Sequence, residues 1–399
     1  MALAINYSCS SSKSTVSLPM TQNDEKIDEK YKDNPFFTKS SLPYQAPDFD
    51  KIKDEHYQPA FDFGLQQQLA EIELITKNAE AATFENTVLA LENSGKVLKR
   101  AQIIFYNMTS ANTNDALQAL QEKYAPIFAA HYDKIYLNED LYKRIKSVDT
   151  KNLNSESKRL VEYYLQNFEI AGANLSVENK TKLKEINQQL ASLSTQFGSK
   201  LLEARKNGAV LFDDVKELDG LSADDIAAAA NDAKKAGFDG KYLLALQNTT
   251  QQPLLQNMKN RASREKLFKA SWTRAEKGDA NDTRETIEQL AKLRLEKAQL
   301  FGKKNFAEWK LQDQMAKTPE AAFGLMKQLA KPAVETAKKE AAEIQSLIDQ
   351  QKGNFKLEPW DWNFYAEQVR KAKYDLDENE IKPYFELKTV PVSYTHLTL

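Results

Sequence analysis

Leu183, Ile186, Leu190, Leu193, Phe197 and Ala204 recur at intervals of three, four, three, four and seven residues. That spacing returns to one side of a helix and to neither side of a strand, where neighbours on a face stand two apart. It predicts one long helix with a narrow apolar seam, while its Lys, Glu and Gln neighbours face water. A seam of this length needs a partner. Residues 160–170 supply one just upstream, with Gly172 as a stop and Ser176 as the N-cap of the long helix. Together they predict a long antiparallel helical hairpin.

The same period runs through the rest of the chain. Pro59 suits the first turn of a helix continuing through Phe63, Leu69, Ile72 and Ile75. Phe84, Val88, Leu91, Leu98 and Phe105 mark the next, with Gly95 on the same stripe, where a missing side chain lets a neighbouring helix approach. Residues 115–132 give a third. Ser222 with Asp225 opens an Ala-rich helix that stops at Gly237, and Thr318-Pro319-Glu320 opens another, closed by Pro332. Two short apolar runs, 209–212 and 242–246, are the strand candidates, and each reads equally well as buried loop. With 12 Gly and 12 Pro in 399 residues, no βαβ alternation and no fixed-period repeat, the expected fold is all-α with at most a minor β hairpin.

Between residues 34 and 50, Asn-Pro-Phe-Phe, Leu-Pro-Tyr and Ala-Pro-Asp read as an extended strap, because each proline disfavours helix in the residue before it. The chain therefore divides into a polar tail (1–33), a strap with helices (34–150), a second helical region (151–390) and a short tail (391–399).

The 55 basic and 57 acidic residues nearly cancel and form no basic block, so nucleic acid is not an expected partner. No apolar run approaches the roughly 20 residues that span a bilayer. The single Cys9 cannot form an internal disulfide. Its context, Ala-Ile-Asn-Tyr-Ser-Cys-Ser-Ser-Ser-Lys, resembles the end of a bacterial lipoprotein signal, in which an acylated cysteine precedes a Ser-rich tether. Asn6 and Tyr7 depart from that pattern, and no basic stretch comes before it. Two readings stay open: a remnant signal with a lipid anchor at Cys9, implying an envelope or periplasmic location, or a plain tail on a cytoplasmic protein.

A hydrolytic zinc site commonly uses two His one helical turn apart, with a Glu between them to activate water. This chain has three His, and none of His56, His131 and His396 belongs to an H-E-x-x-H helix. His56 and His131 read as packed or surface residues, and no catalytic, cofactor-binding or metal-ligating residue is assigned. No G-x-S-x-G elbow, G-x-x-x-x-G-K-[ST] loop or G-x-G-x-x-G turn is present either. The aromatic set Trp360, Trp362, Phe364 and Tyr365 has two readings. Its default role is core packing. Its functional role is to line a groove for an extended peptide, with Trp360, Trp362 and Tyr365 as the substrate-channel candidates. Asp361, between the two Trp, is placed to cap the following helix, while Arg274 and Arg284 are placed to pair with carboxylates of neighbouring helices or of a substrate.

Asn34-Pro-Phe-Phe, Leu42-Pro-Tyr-Gln-Ala-Pro, Phe84-Glu-Asn-Thr-Val-Leu-Ala-Leu-Glu-Asn-Ser-Gly, Asn248-Thr-Thr-Gln-Gln-Pro, Arg264-Glu-Lys-Leu-Phe, Trp272-Thr-Arg-Ala-Glu-Lys and Trp360-Asp-Trp carry a likeness. They resemble the thimet oligopeptidase and neurolysin family of zinc metallopeptidases, in its peptidyl-dipeptidase branch, collinearly from about Asn34 to Val390. The resemblance implies an almost all-helical, two-lobed monomer with a deep channel that admits short unfolded peptides and releases their C-terminal dipeptides. Residues 151–390 would then form channel wall leading towards the catalytic domain. It further implies zinc held by an H-E-x-x-H helix and a downstream Glu, none of which has a counterpart here. The terminal Val-Ser-Tyr-Thr-His-Leu-Thr-Leu leaves the family pattern at Pro391 and reads as adapter or assembly read-through. The expectation is an N-terminal fragment that alone binds no stoichiometric zinc and cleaves no peptide. The competing expectation, from another class, is a non-catalytic helical peptide-binding or scaffold protein.

Overall fold

The computed structural model describes residues 33–374, 378–390 and 392; Cys9 and His396 lie outside the described residues. The chain divides into two compact units between Ser192 and Leu193.

In the first unit the strap is held from both ends. Asn34 accepts the Phe36 N–H at 3.0 Å and donates to the His56 carbonyl at 2.9 Å, and Arg100 Nη1 donates to the carbonyls of Phe36 and Thr38. These bonds lodge the Phe36 ring in the core against Tyr57, the first residue of α1 (Tyr57–Thr76). The helix expected over Phe84 to Phe105 is in fact broken. A π-helical turn, Phe84–Leu89, runs into α2 (Ala90–Glu92), and α3 (Lys96–Ala111) starts afresh. Gly95 causes the break: its φ of +66° lies in the left-handed region that glycine enters without steric cost, and its N–H donates to Glu71 Oε2 of α1 at 2.7 Å. The glycine that permits close helix approach is Gly64, where a Cβ would stand 2.8 Å from the backbone nitrogen of Leu98 in α3.

Asn114 caps α4 (Asp115–Tyr136), which extends a full turn past its expected end. Next comes α5 (Glu139–Lys146), too short for a period of 3.6 to announce it. Its Arg144 donates to Thr87 Oγ1, the Asn78 carbonyl and the Glu80 carbonyl at 2.9–3.1 Å, so one guanidinium satisfies the loop that leads into the π-turn. α6 (Ser155–Ala171) ends at Gly172, and α7 (Val177–Asn207) begins under the Ser176 cap, as the residues indicate. Along the seam of α7, Leu183, Ile186 and Ala204 are buried, whereas Leu190, Leu193 and Phe197 are half-buried. Asn187 ties α7 to Asp133 of α4 at 2.7 Å.

His131 of α4 is buried, and its surroundings define its protonation state. The Gln68 amide donates to Ser94 Oγ at 3.2 Å, which turns its oxygen towards His131 Nε2 at 2.7 Å. Nε2 therefore carries the hydrogen, and the buried Nδ1 has no hydrogen-bond partner. Burial pushes the imidazole down to about 4 from 6.5, with a smaller contribution from Lys134. A proton then binds the unfolded chain first. The stabilisation is complete above pH 6.5 and is lost as pH falls from 6.5 towards 4, at about 1.4 kcal/mol per unit or on the order of 3 kcal/mol in all. Urea unfolding between pH 7 and 4.5 should show this slope in the native chain and a much flatter one in His131→Gln. Parallel profiles would contradict it.

In the second unit, β1 (Val210–Phe212) and β2 (Tyr242–Leu244) pair antiparallel, Val210 opposite Leu244 and Phe212 opposite Tyr242. The two apolar runs are therefore strands. They do not form a hairpin, because α8 (Ala223–Lys235), capped by Ser222 and stopped before Gly237, lies between them. Phe212, Leu246, Leu255, Met258 and Leu267 build the core beside this ladder. Then follow α9 (Arg261–Trp272), α10 (Arg284–Leu300), α11 (Phe306–Leu311), α12 (Pro319–Gln350), α13 (Pro359–Tyr374) and α14 (Glu378–Ile381). Thr318 caps α12 as expected, but Pro332 does not close it. The proline leaves only the Gln328 carbonyl without its helical partner, and residues 325–340 are exposed, so water can satisfy that carbonyl. Strong helix formers on both sides offset the rest. The described residues are thus mostly helical with one two-stranded ladder, and no described helix is long and apolar enough to cross a membrane.

Candidate functional site

The aromatic cluster singled out in the sequence surrounds a buried carboxylate. Asp361, in the first turn of α13, is 0 % exposed and receives five hydrogen bonds. Arg261 of α9 grips it from Nε at 3.0 Å and Nη2 at 2.9 Å, Arg264 donates from Nη2 at 2.8 Å, and the Glu358 N–H completes the set at 3.3 Å. Asp361 is therefore not the N-cap expected of it: it is the third residue of α13, and its carboxylate reaches back to the Glu358 N–H just ahead of the helix. The two arginines were not legible as its partners, although their spacing of three puts both on one face of α9. Arg264, 1 % exposed, also donates to the carbonyls of Met258 and Lys259. Arg261, 34 % exposed, has its proton held more tightly by the bond to Asp361.

Aromatic faces complete the coordination. The Arg261 guanidinium lies 4.1 Å from the Phe355 ring and 5.6 Å from Trp360, and that of Arg264 lies 4.3 Å from Phe364 and 5.9 Å from Tyr365. Stacking of this kind compensates cations that one carboxylate cannot neutralise. Tyr365 is buried, with its ring edge-on to Phe364 at 5.1 Å. Trp362 is half-buried against the Ile344 and Ile348 core. Trp360 is also half-buried, lies against Phe268 and Lys269, and keeps a buried Nε1–H without a hydrogen-bond partner. The structure therefore brings the three candidates onto one helix around one ion-pair node. Tyr365 faces inward, whereas Trp360 and Trp362 retain surface.

The remaining candidates are separate. Arg284 pairs with Asp282 at the start of its own helix and holds that carboxyl well below the usual range, while Arg274 Nη1 donates to the Ser271 carbonyl. His56 accepts the Lys53 N–H at Nδ1 and lines a cleft of ≈ 730 Å³ with Asp54, Glu55 and Asp62. All three carboxylates already have protein partners: Asn114 on Asp54, Lys53 on Glu55 and the Tyr124 hydroxyl on Asp62. Among the described residues no three His, Cys, Asp or Glu side chains converge to hold a metal ion. The described residues do not fit a zinc centre.

Residues 254–393, which contain the whole arginine–aspartate node, match the model of Peptidase family M3. A protein named dipeptidyl carboxypeptidase from Escherichia coli is 50 % identical over 361 residues, covering 90 % of this chain and 53 % of that protein. The protein of the same name from Salmonella typhimurium is 48 % identical over the same shares. The chain resembles peptidase family M3 over residues 254–393 and the dipeptidyl carboxypeptidases over most of its length. Oligopeptidase A of Escherichia coli is more distant, at 29 % identity over 88 % of this chain and 52 % of its own length. The chain spans about half the length of these relatives. Within the matched region Asp361, Arg261 and Arg264 lock the start of α13 onto α9, and so set where Trp360 and Trp362 stand.

Proposed function

We propose that this chain is part of a zinc-dependent peptidyl-dipeptidase that hydrolyses short unfolded peptides and releases their C-terminal dipeptides. The observation that carries this reading is the 50 % identity, sustained over 361 residues, to a dipeptidyl carboxypeptidase. Identity at that level along a helical scaffold keeps both the packing and the surfaces the scaffold presents. The contribution of this chain is enclosure and positioning. Trp360 and Trp362 offer flat apolar area to an extended peptide, and Tyr365 supports them from the core. Zinc belongs to the complete enzyme in this reading, and no residue of this chain is assigned to hold it.

Two preparations test the proposal. A chimaera in which residues 34–390 replace the matching part of the Escherichia coli dipeptidyl carboxypeptidase should release dipeptides from the C-terminus of a short peptide. Chelation should abolish that activity and added zinc restore it. The 399-residue chain alone should hold well under one zinc per molecule by elemental analysis and leave the same peptide intact. A folded but inactive chimaera, or zinc-dependent release by the chain alone, would refute the reading.

A further inference from the structure

The apolar seam of α12 continues far beyond the part of it that is covered. Ile348 and Ile344, 0 % and 2 % exposed, pack against Leu357, Trp362 and Val369. α13 runs antiparallel to α12 here: Gln351 bonds Gln368 at 2.9 Å, and Lys373 pairs with Glu343 at 2.6 Å near the end of α13. Cover therefore stops near Glu343. The same three-four spacing carries on through Ala341, Ala337, Ala333, Ala330, Met326 and Phe323, a further 27 Å or so at 1.5 Å per residue. Along that stretch Phe323 is 56 % exposed, Met326 59 %, Leu329 61 % and Val334 53 %. Gln328, Glu335 and Lys339 hold the opposite side. Isolated exposed apolar residues are ordinary, but a seam in register with a packed interface is not.

We propose that this face of α12 is the seat of a helix contributed by the polypeptide that the M3 relatives carry beyond the span of this chain. Three observations choose that occupant. The open seam is collinear with the α12–α13 interface, so one groove serves both. Its central positions are alanines, which allow a helix, rather than a loop or sheet, to lie at the short end of the 8–10 Å range of interaxial distances. The dipeptidyl carboxypeptidase of Escherichia coli has about as much polypeptide again outside the matched region, since only 53 % of it is covered. Phe323 and Met326 then anchor the far end of the groove as Ile344 and Ile348 anchor the near end. This inference rests on the likeness to the dipeptidyl carboxypeptidases and is independent of the peptidase activity.

The test uses single cysteines in a background with Cys9→Ser and any other cysteine replaced by serine. Ala330→Cys and Ala337→Cys report the seam, Met326→Cys gives a third seam position should either fail to fold, and Gln328→Cys and Lys339→Cys report the opposite face. Maleimide labelling is timed in the 399-residue chain and in the chimaera described above. The expected result is fast labelling everywhere in the chain alone and roughly tenfold slower labelling of the seam positions, but not of 328 and 339, in the chimaera. Equal rates in both proteins overturn the proposal. So does slow seam labelling in the chain alone, whether or not it deepens with protein concentration; deepening would identify a second copy as the occupant. A chimaera that hydrolyses peptides yet labels quickly at the seam sinks this inference and spares the peptidase reading, and a protected but inactive chimaera does the reverse.

Discussion

Asp361→Ala lowers the stability of the chain by about 4 kcal/mol, in the range found when one partner of a buried ion pair is removed. The size follows from what is left behind. Arg264 is 1 % exposed and cannot reach water, so its charge keeps two backbone carbonyls and the rings of Phe364 and Tyr365 but no carboxylate. Arg261 is 34 % exposed and can turn outward, so it contributes the smaller share. The partner variant separates charge from packing: with Arg264→Met and Asp361→Leu together, most of the loss should return, because two buried charges vanish at once. Urea unfolding read by circular dichroism gives both numbers, and hydrogen exchange should place the loosening in residues 193–399. A single Asp361→Ala variant within 1 kcal/mol of the parent would mean that the node is not the lock described here.

Phe61→Ala costs a comparable amount, about 4 kcal/mol, through cavity formation rather than charge. The Phe61 ring is fully buried and stands 5.0–5.2 Å from Phe105, Tyr124 and Phe128, edge-on to two of them. Truncation removes the transfer free energy of the ring and the contacts of its neighbours, and those neighbours are fixed by α3 and α4 and cannot close the space. Phe323→Ala provides the contrast. That ring is more than half exposed on α12, so the same chemical change should move stability by less than about 0.5 kcal/mol. Similar losses at the two positions would show that residue type, rather than burial, governs the response.

The sequence by itself determined the helical class, the long α7, the caps at Ser176, Ser222 and Thr318, the stops at Gly172 and Gly237, and the aromatic cluster around Asp361. Each of these is written within a few residues of the place where it acts: a seam repeats every turn, and a cap needs its acceptor three residues away. The resemblance to the M3 peptidases was equally legible, because it lies in collinear short stretches rather than in contacts. Only the tertiary structure decided that Gly95 breaks the second helix and Gly64 admits the third, that Pro332 rides inside α12, and that Arg144, Arg261 and Arg264 find their partners 57–100 residues away. Read locally, Gly95 is a place of close helix approach, Gly64 carries no signal and Pro332 is a stop, yet the outcome depends on what lies across from each. A glycine becomes a crossing point only if a second backbone arrives, a proline ends a helix only if its orphaned carbonyl has no water, and an arginine pairs only with the carboxylate or carbonyl that folding delivers to it.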